Sequence, residues 1–213
     1  MAGTELEAQV EHLAAIGYPK LLGISRNEFM SALEPLRKRL PEPQTTAWDG
    51  SFGHVPFVIV IASPRAPVKA TLPLVTRREL TAIERLYPRE PADFSTIDSV
   101  SLPDGDAYLL IDVDRGSDTL NATPDDAFET IRVRGRTPLT IAEGIAILTH
   151  YPEFLQPNNC FSLLASRAGD KRVPALWLSE KRPKLGWCWA GNPHTWLGSA
   201  SCGNRVGAEV KFG

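Results

Sequence analysis

Residues 158–204 have the sequence NNCFSLLASRAGDKRVPALWLSEKRPKLGWCWAGNPHTWLGSASCGN. This segment contains Cys160, Cys188 and Cys202, which are all the cysteines of the 213-residue chain, and four of its five tryptophans. Its second half is rich in Gly, Ser and Asn, which let a ligand approach the backbone closely. We therefore expect a binding site to lie in this segment.

Apolar residues alternate with a period of two in the middle of this segment, which indicates β-strands. We predict strands over 175–179 and 185–189, joined by a five-residue loop into a hairpin. Alternation places Leu185, Trp187 and Trp189 on one face. Because large apolar side chains usually lie inside, we assign that face to the core.

Residues 190–203 are predicted to form a loop that walls a pocket next to the hairpin. Small residues let the backbone come close to a ligand, and polar side chains supply directed hydrogen bonds. The binding residues that we predict are Asn192, His194, Trp196, Ser199, Ser201 and Cys202.

The preceding residues predict strands and helices in turn. The apolar runs VPFVIVIA and AYLLIDV predict buried strands over 55–62 and 107–113. Capping patterns followed by apolar stripes predict helices that begin after Ser25, Thr76, Thr123 and Thr140. Gly135 and Pro152 mark the ends of the last two of these helices.

The N-terminal residues 1–40 are predicted to form a helical hairpin. An apolar stripe from Leu6 to Leu13 marks its first helix. A loop over 41–54, rich in Pro and Gly, separates this hairpin from an α+β core over 55–204.

Length and element order together predict one domain. A chain of 213 residues with 43% hydrophobic residues can bury one full core. Capped helices that alternate with separated strands indicate the α+β class over 1–213, with a mixed β-sheet and helices mainly on one side.

The charge distribution favours an anionic or polar ligand. The net charge is −2, but residues 158–213 carry +5 and the remaining residues carry −7. Basic residues alternate with tryptophan over 171–196, a pattern that also suits single-stranded nucleic acid. The tryptophan face is assigned to the core, which would leave it unavailable for stacking on bases, and the whole chain is acidic. We therefore do not expect a nucleic-acid partner.

Sequence features also bear on location. The longest apolar run, over 55–62, is too short to span a bilayer, and the acidic N-terminus lacks an export signal. An odd number of cysteines without an export signal predicts free thiols in the cytoplasm. We therefore expect a cytoplasmic protein with no membrane partner.

Cysteine and histidine residues suggest a zinc site as one alternative. Cys188, His194 and Cys202, completed by Cys160 or His150, have the chemistry of a four-ligand site. No pair among them has the two-residue gap of a zinc knuckle, so we predict no metal and no cofactor.

A second alternative is the Asp112-Val-Asp114 sequence at the end of a predicted strand. It resembles the opening motif of haloacid-dehalogenase-like phosphotransferases, but Gly116 replaces the Thr or Val that the motif needs. We predict that both aspartates are turn residues, since Asp and Gly favour turns. Together with Asp118 they also have the hard oxygen ligands of a divalent cation site.

The enzymatic alternative is a small hydrolase or transferase that uses the same segment. His194 would act as the acid or base, and Cys160, Cys202 or Ser201 as the nucleophile. His54, an aspartate and Ser201 follow the order of a chymotrypsin-like triad, but the predicted helices argue against that fold. Catalytic residues stay unassigned.

Three segments resemble an uncharacterised protein family of similar length that is associated with actinobacteria. They are LLIDVDRGSDTLNATPDDA, GRTPLTIAEGIAILTH and RVPALWLSEKRPKLGWCWAGNPHTWLGSASCG. The resemblance covers most of residues 5–204 and implies a stand-alone cytoplasmic protein without an assigned catalytic residue. From the residues themselves, we expect a small polar or anionic ligand, or a protein partner, to bind near residues 185–203.

Overall fold

The computed structural model of the protein describes residues 2–41 and 52–213. Within these ranges, the α-helices are α1 (Ala2–Ile16), α2 (Tyr18–Leu22), α3 (Arg26–Leu33), α4 (Val68–Thr71), α5 (Pro124–Val133) and α6 (Ile141–His150). The strands are β1 (His54–Ile61), β2 (Thr76–Arg77), β3 (Leu80–Thr81), β4 (Ile83–Glu84), β5 (Ser95–Thr96), β6 (Ala107–Asp114), β7 (Thr137–Pro138), β8 (Cys160–Ser162), β9 (Ser166–Arg167), β10 (Arg172–Ser179), β11 (Arg182–Trp189), β12 (Leu197–Ser199) and β13 (Ser201–Gly207). Short 3₁₀ helices span Glu34–Arg39, Leu72–Leu74, Pro91–Asp93, Ser117–Thr119 and Pro152–Phe154.

The N-terminal helices form as the sequence predicts, with one addition. The stripe that begins at Leu6 is buried, and Ser25 and Glu28 form the predicted capping box. The short helix α2 lies between the two predicted helices and follows Gly17, whose φ of 107° suits glycine. The loop predicted over 41–54 falls mostly outside the described residues.

The first sheet has the strand order β1-β6-β13-β7, and all its pairs are antiparallel. Both faces of β1 are buried, as its continuous apolar run predicts. Phe57 and Ile59 pack against the N-terminal helices, whereas Val58 and Val60 belong to a second apolar cluster that includes α6. Two-residue alternation along β1 therefore divides the interior into two cores.

The second sheet has the strand order β12-β8-β10-β11-β4 and mixes parallel and antiparallel pairs. Helix α6 packs against it at Gly144, where an added Cβ would lie 2.7 Å from Leu163. The α+β class, the mixed sheet and the N-terminal helices are thus confirmed. Nowhere in residues 2–41 or 52–213 does a helix combine the length and apolarity needed to cross a bilayer.

The prediction of a helix after Thr76 is wrong. This region instead forms a two-stranded hairpin of β2 and β3, followed by β4, which pairs with β11. Arg78 and Glu79 have φ values of 49° and 66°, so they form a two-residue turn of the kind that matches strand twist. Arg77 is buried and donates to Glu153 over 2.6 Å, a tertiary contact that a local capping pattern does not contain.

The hairpin predicted around residues 175–189 is present, but its loop is shorter than predicted. Strands β10 and β11 pair from Arg172 opposite Trp189 to Ser179 opposite Arg182. Only Glu180 and Lys181 remain in the turn, with φ values of 55° and 62°. The five-residue loop is therefore replaced by a two-residue turn.

Residues 190–203 are only partly loop, which corrects the prediction for this segment. Strand β12 and the start of β13 occupy its second half. Gly198 is needed for close packing, since an added Cβ would lie 2.1 Å from the carbonyl oxygen of Gly116. Small residues in this segment allow two backbones to approach each other, and they do not indicate a loop.

Candidate functional site

A concave site that contains predicted binding residues lies beside the hairpin of β10 and β11. It is a cavity of about 230 Å³, which we call the tryptophan pocket. Its lining residues are Ala175, Trp177, Trp187, Cys188, Trp189, Asn192, His194, Trp196 and Leu197. Four of the chain's five tryptophans therefore line one cavity.

Contacts with neighbouring groups fix the aromatic rings of the pocket. The ring centroids of Trp187 and Trp189 are 5.0 Å apart at an interplanar angle of 67°. Those of His194 and Trp196 are 5.2 Å apart. Trp177 packs over Gly186, where an added Cβ would lie 2.1 Å from the indole ring. These edge-to-face and tilted arrangements suit the aromatic quadrupole and hold the walls in place.

The face predicted to anchor the hairpin is only partly core. Leu185 is fully buried, but Trp187 is half-buried and Trp189 is 40% exposed, so the assignment of the whole face is wrong. The guanidinium carbon of Arg172 lies 4.7 Å from the Trp187 ring centroid and 5.1 Å from that of Trp189. The tryptophans are thus covered by a cation, and Cys188 is buried on the opposite face.

Arg172, Asp170 and Arg89 form a charged triad. Arg172 Nη1 donates to Asp170 Oδ2 over 2.7 Å, and Arg89 Nη2 donates to the same oxygen over 2.9 Å. The backbone N–H of Arg172 and the side chain of Arg89 are the main causes that lower the pKa of Asp170 to about 2. Asp170 is therefore a carboxylate at neutral pH, and it neutralises one of the two arginines.

The thiol in the pocket wall is neutral. Burial raises the pKa of Cys188, whose Sγ lies 3.7 Å from Ser162 Oγ. A protonated, buried thiol is a weak nucleophile and behaves as a small apolar group. All three cysteines of the chain are buried and free.

The structure brings together three of the six predicted binding residues. Asn192, His194 and Trp196 all line the tryptophan pocket. Ser199 and Ser201 instead line a separate cavity of about 90 Å³. Its other lining residues are Asp114, Gly116, Asp118, Thr119, Ile131, Arg134 and Arg136.

Cys202, the sixth predicted binding residue, lines neither cavity. It is fully buried in β13, and its Sγ lies 3.2 Å from Thr137 Oγ1. Burial raises its pKa. Pairing with β6 places its side chain in the core, and the sequence gives no sign of that pairing.

The residues of the enzymatic alternative have other partners. Cys160 Sγ lies 3.6 Å from the carbonyl oxygen of Gln156, and burial raises the pKa of this thiol. Ser201 Oγ accepts a hydrogen bond from Arg136 Nε over 2.9 Å. His194 contacts the ring of Trp196. In the described parts of the chain, no hydrogen bond joins His194 to these nucleophiles.

Sequence reasoning missed a polar cluster around Asp112, which we call the Asp112 cluster. His54 Nε2 lies 2.7 Å from Asp112 Oδ1, and Arg136 Nη1 donates to Asp112 Oδ2 over 2.5 Å. Arg136 also donates to the backbone carbonyl of Asp112 and to the hydroxyl of Ser201. These four residues are separated in the sequence and meet through the pairing of β1, β6, β13 and β7, the strand that Arg136 directly precedes.

Asp112 lies within strand β6 and not in a turn, which corrects the prediction for this residue. Its φ is 53°, a left-handed value that is uncommon outside glycine. By register, its neighbours are Pro56, which has no N–H to donate, and Gly203, which has no side chain. The backbone carbonyl of Asp112 accepts a hydrogen bond from Arg136 Nη2. The residue types of this row explain how the sheet tolerates the distortion.

The remaining acidic residues near Asp112 also have protein partners. Asp114, the last residue of β6, accepts a hydrogen bond from the N–H of Gly116 over 2.6 Å, and Asp118 pairs with Arg134. Across residues 2–41 and 52–213, no group of three His, Cys, Asp or Glu side chains is arranged to hold a metal ion.

Comparison with known proteins yields one finding. The model of DUF5701, a family of unknown function, matches residues 12–208. No curated protein and no solved structure matches the chain.

Proposed function

Because this chain belongs to a family of unknown function, we propose its function from its own geometry: the protein binds a small planar ligand in the tryptophan pocket. The observation that carries the proposal is that four tryptophans line one cavity of about 230 Å³. Apolar side chains that are grouped on a concave surface, unlike single exposed ones, mark binding grooves and interaction sites. A ring ligand would stack on them and displace water.

The size of the pocket favours a ligand with one ring. Drug-sized ligands occupy cavities of about 300–1,000 Å³, which exceeds the volume of this pocket. Each offset-stacked or edge-to-face aromatic pair contributes about 0.5–1.5 kcal/mol beyond burial of area. Asn192 and His194 supply polar groups that can orient the ring.

The test is ligand-observed NMR with a panel of single-ring compounds of each charge type, followed by tryptophan fluorescence titration of the compounds that bind. Trp196→Ala and His194→Ala are expected to abolish binding. Val133→Ala is the control, because this side chain is 78% exposed on α5, outside the pocket. Absence of binding by every member of the panel, or binding that survives Trp196→Ala, would contradict the proposal.

A protein partner is a second candidate for the same surface. Trp187 Nε1 donates to the backbone carbonyl of Tyr87 over 3.1 Å, so the backbone of this 87% exposed residue contacts a pocket tryptophan. A partner that covers a wide surface would use the Tyr87 ring, whereas an enclosed small ligand would not. Unchanged affinity for a ring compound in Tyr87→Ala, with loss in Trp196→Ala, favours the small ligand.

A further inference from the structure

We propose that the ligand of the tryptophan pocket is an uncharged planar ring with an amide-like hydrogen-bonding edge. This inference rests on the proposed function and narrows its ligand class. The nine residues that line the pocket include no Asp, Glu, Lys or Arg. A ligand that enters this pocket therefore meets aromatic faces, a neutral thiol, an amide and an imidazole.

An anionic ligand is disfavoured because the lining residues include no Lys or Arg that would pair with its charge. Burial of an unpaired carboxylate or phosphate has a free-energy cost that exceeds the gain from stacking one ring. The nearby Arg172 is not a lining residue, and its Nη1 already donates to Asp170 Oδ2 over 2.7 Å.

A cationic ligand is disfavoured for a different reason. Aromatic cages bind ammonium groups through the negative faces of their rings. Beside this pocket, Arg172 lies over the rings of Trp187 and Trp189, at 4.7 Å and 5.1 Å from their centroids. These two ring faces are therefore already occupied by a cation, and the lining residues include no carboxylate that would attract a second one.

The polar groups of the pocket complement an amide. The side chain of Asn192 offers donors and an acceptor, and the two ring nitrogens of His194 are further hydrogen-bonding groups. An amide edge of a pyrimidine-like or pyridine carboxamide ring can pair with both kinds of group. The polar edge of such a ligand stays hydrogen-bonded while its ring faces stack on the tryptophans. Hydrogen bonds with the protein thus offset most of the free-energy cost of removing the polar edge from water.

The experiment compares three compounds that share one ring and differ in charge: neutral nicotinamide, anionic nicotinate and the ring-methylated nicotinamide cation. Affinities are measured with the full-length protein by fluorescence titration and isothermal calorimetry at neutral pH. We expect nicotinamide to bind about tenfold more tightly, or better, than either charged compound. Binding of all three should be lost in Trp196→Ala.

The outcomes separate this inference from the proposed function. If a charged compound binds as tightly as nicotinamide and Trp196→Ala abolishes that binding, the proposed function stands and the inference is overturned. If none of the three binds, the inference is overturned, and the wider panel decides the proposed function.

A substitution tests the role of Arg172. Arg172→Gln removes the cation from the tryptophan faces, so affinity for the methylated cation is expected to rise about tenfold. Affinity for nicotinamide should change less than about twofold, and Arg172→Lys should leave the ranking unchanged because it keeps the charge. Lys211→Gln, an exposed substitution of equal charge, is the control. An unchanged cation affinity in a folded Arg172→Gln protein would contradict the argument that Arg172 occupies the ring faces that a cation needs.

Discussion

At the scale of single residues, the main departure from regular structure is Asp112. A left-handed φ in a residue other than glycine costs about 1–3 kcal/mol, and it persists only where the surroundings compensate. Two side chains, His54 and Arg136, hold the carboxylate by hydrogen bonds. Burial alone would raise the pKa of Asp112, but hydrogen bonds from these residues lower it, so Asp112 stays ionised and bonded.

Gly203→Ala is expected to destabilise the protein by about 1–3 kcal/mol, because overpacking forces neighbouring atoms apart. The added Cβ would lie 2.8 Å from Asp112 Oδ2, and that oxygen cannot move away without losing Arg136. Urea denaturation measures the change. The control is Gly191→Ala, where an added Cβ has no neighbour within 4 Å. Equal stability of the two variants would show that the carboxylate is not held rigidly.

Asp170 gives a pH-dependent prediction. Its pKa is lowered to about 2 in the folded protein, against about 3.9 for an unfolded chain. A carboxyl with a depressed folded pKa stabilises the protein above its unfolded pKa, and this contribution is lost as the pH falls toward 2. Asp170→Asn should therefore flatten the loss of stability between about pH 4 and pH 2.

Urea midpoints at several pH values in this window measure the effect. Asp98→Asn, which removes an exposed carboxylate without a described ion pair, is the charge-matched control. A wild-type slope that persists in Asp170→Asn would mean that other carboxyls cause the acid sensitivity.

At the scale of elements, the hairpin of β10 and β11 carries the pocket, and its two-residue turn is not built from favoured residues. Glu180 and Lys181 both have positive φ, where Asn and Gly are usual. Lys184 Nζ lies 3.2 Å from Glu180, but the glutamate is 81% exposed, and an exposed pair contributes little. Strand pairing therefore holds the turn in an unfavourable local conformation.

The double substitution Glu180→Asn with Lys181→Gly is expected to stabilise the protein by about 0.5–2 kcal/mol, since it relieves two left-handed conformations. Calorimetry should show a higher melting temperature. The reversed pair, Glu180→Gly with Lys181→Asn, keeps the composition and should stabilise less, because a turn of this type favours Asn before Gly. A lower melting temperature in the first variant would contradict the two-residue turn.

At the scale of the whole molecule, a buried ion pair connects the first sheet to helix α6. Glu143 is fully buried in α6, and Arg205 Nη2 in β13 donates to it over 2.9 Å. Tyr108 in β6 donates to the same carboxylate over 2.8 Å, and Arg205 also donates to Thr137 and to the carbonyl of Pro138. One network therefore fixes α6 relative to three strands.

Glu143→Gln is expected to cost about 3–5 kcal/mol, because removal of one partner leaves the other charge buried and unpaired. Chemical denaturation measures the loss. The control is Glu129→Gln on α5, an exposed glutamate whose change should stay within about 0.5 kcal/mol. A small effect of Glu143→Gln would mean that water reaches Arg205.

Elements whose causes lie within a few residues could be predicted from the amino-acid sequence. Capping boxes at Ser25 and Thr140 begin helices α3 and α6, because a side chain satisfies the free N–H groups of the next turn. The apolar runs of β1 and β6 and the hairpin of β10 and β11 likewise follow from local periodicity. The α+β class follows from the order of these elements.

Features that depend on contacts between residues distant in sequence could not be predicted in this way and became visible in the folded chain. Residues after Thr76 have a helix-capping pattern but form strands, because Arg77 donates to Glu153 and β4 pairs with β11. Gly198 and Ser201 look like loop residues, but they lie in strands because the backbone of Gly116 and the side chain of Arg136 come close. Local signals contain no information about such partners, since close approach between backbones and pairing of buried charges arise only when the chain has folded. For the same reason, three predicted site residues meet at the tryptophan pocket and three do not.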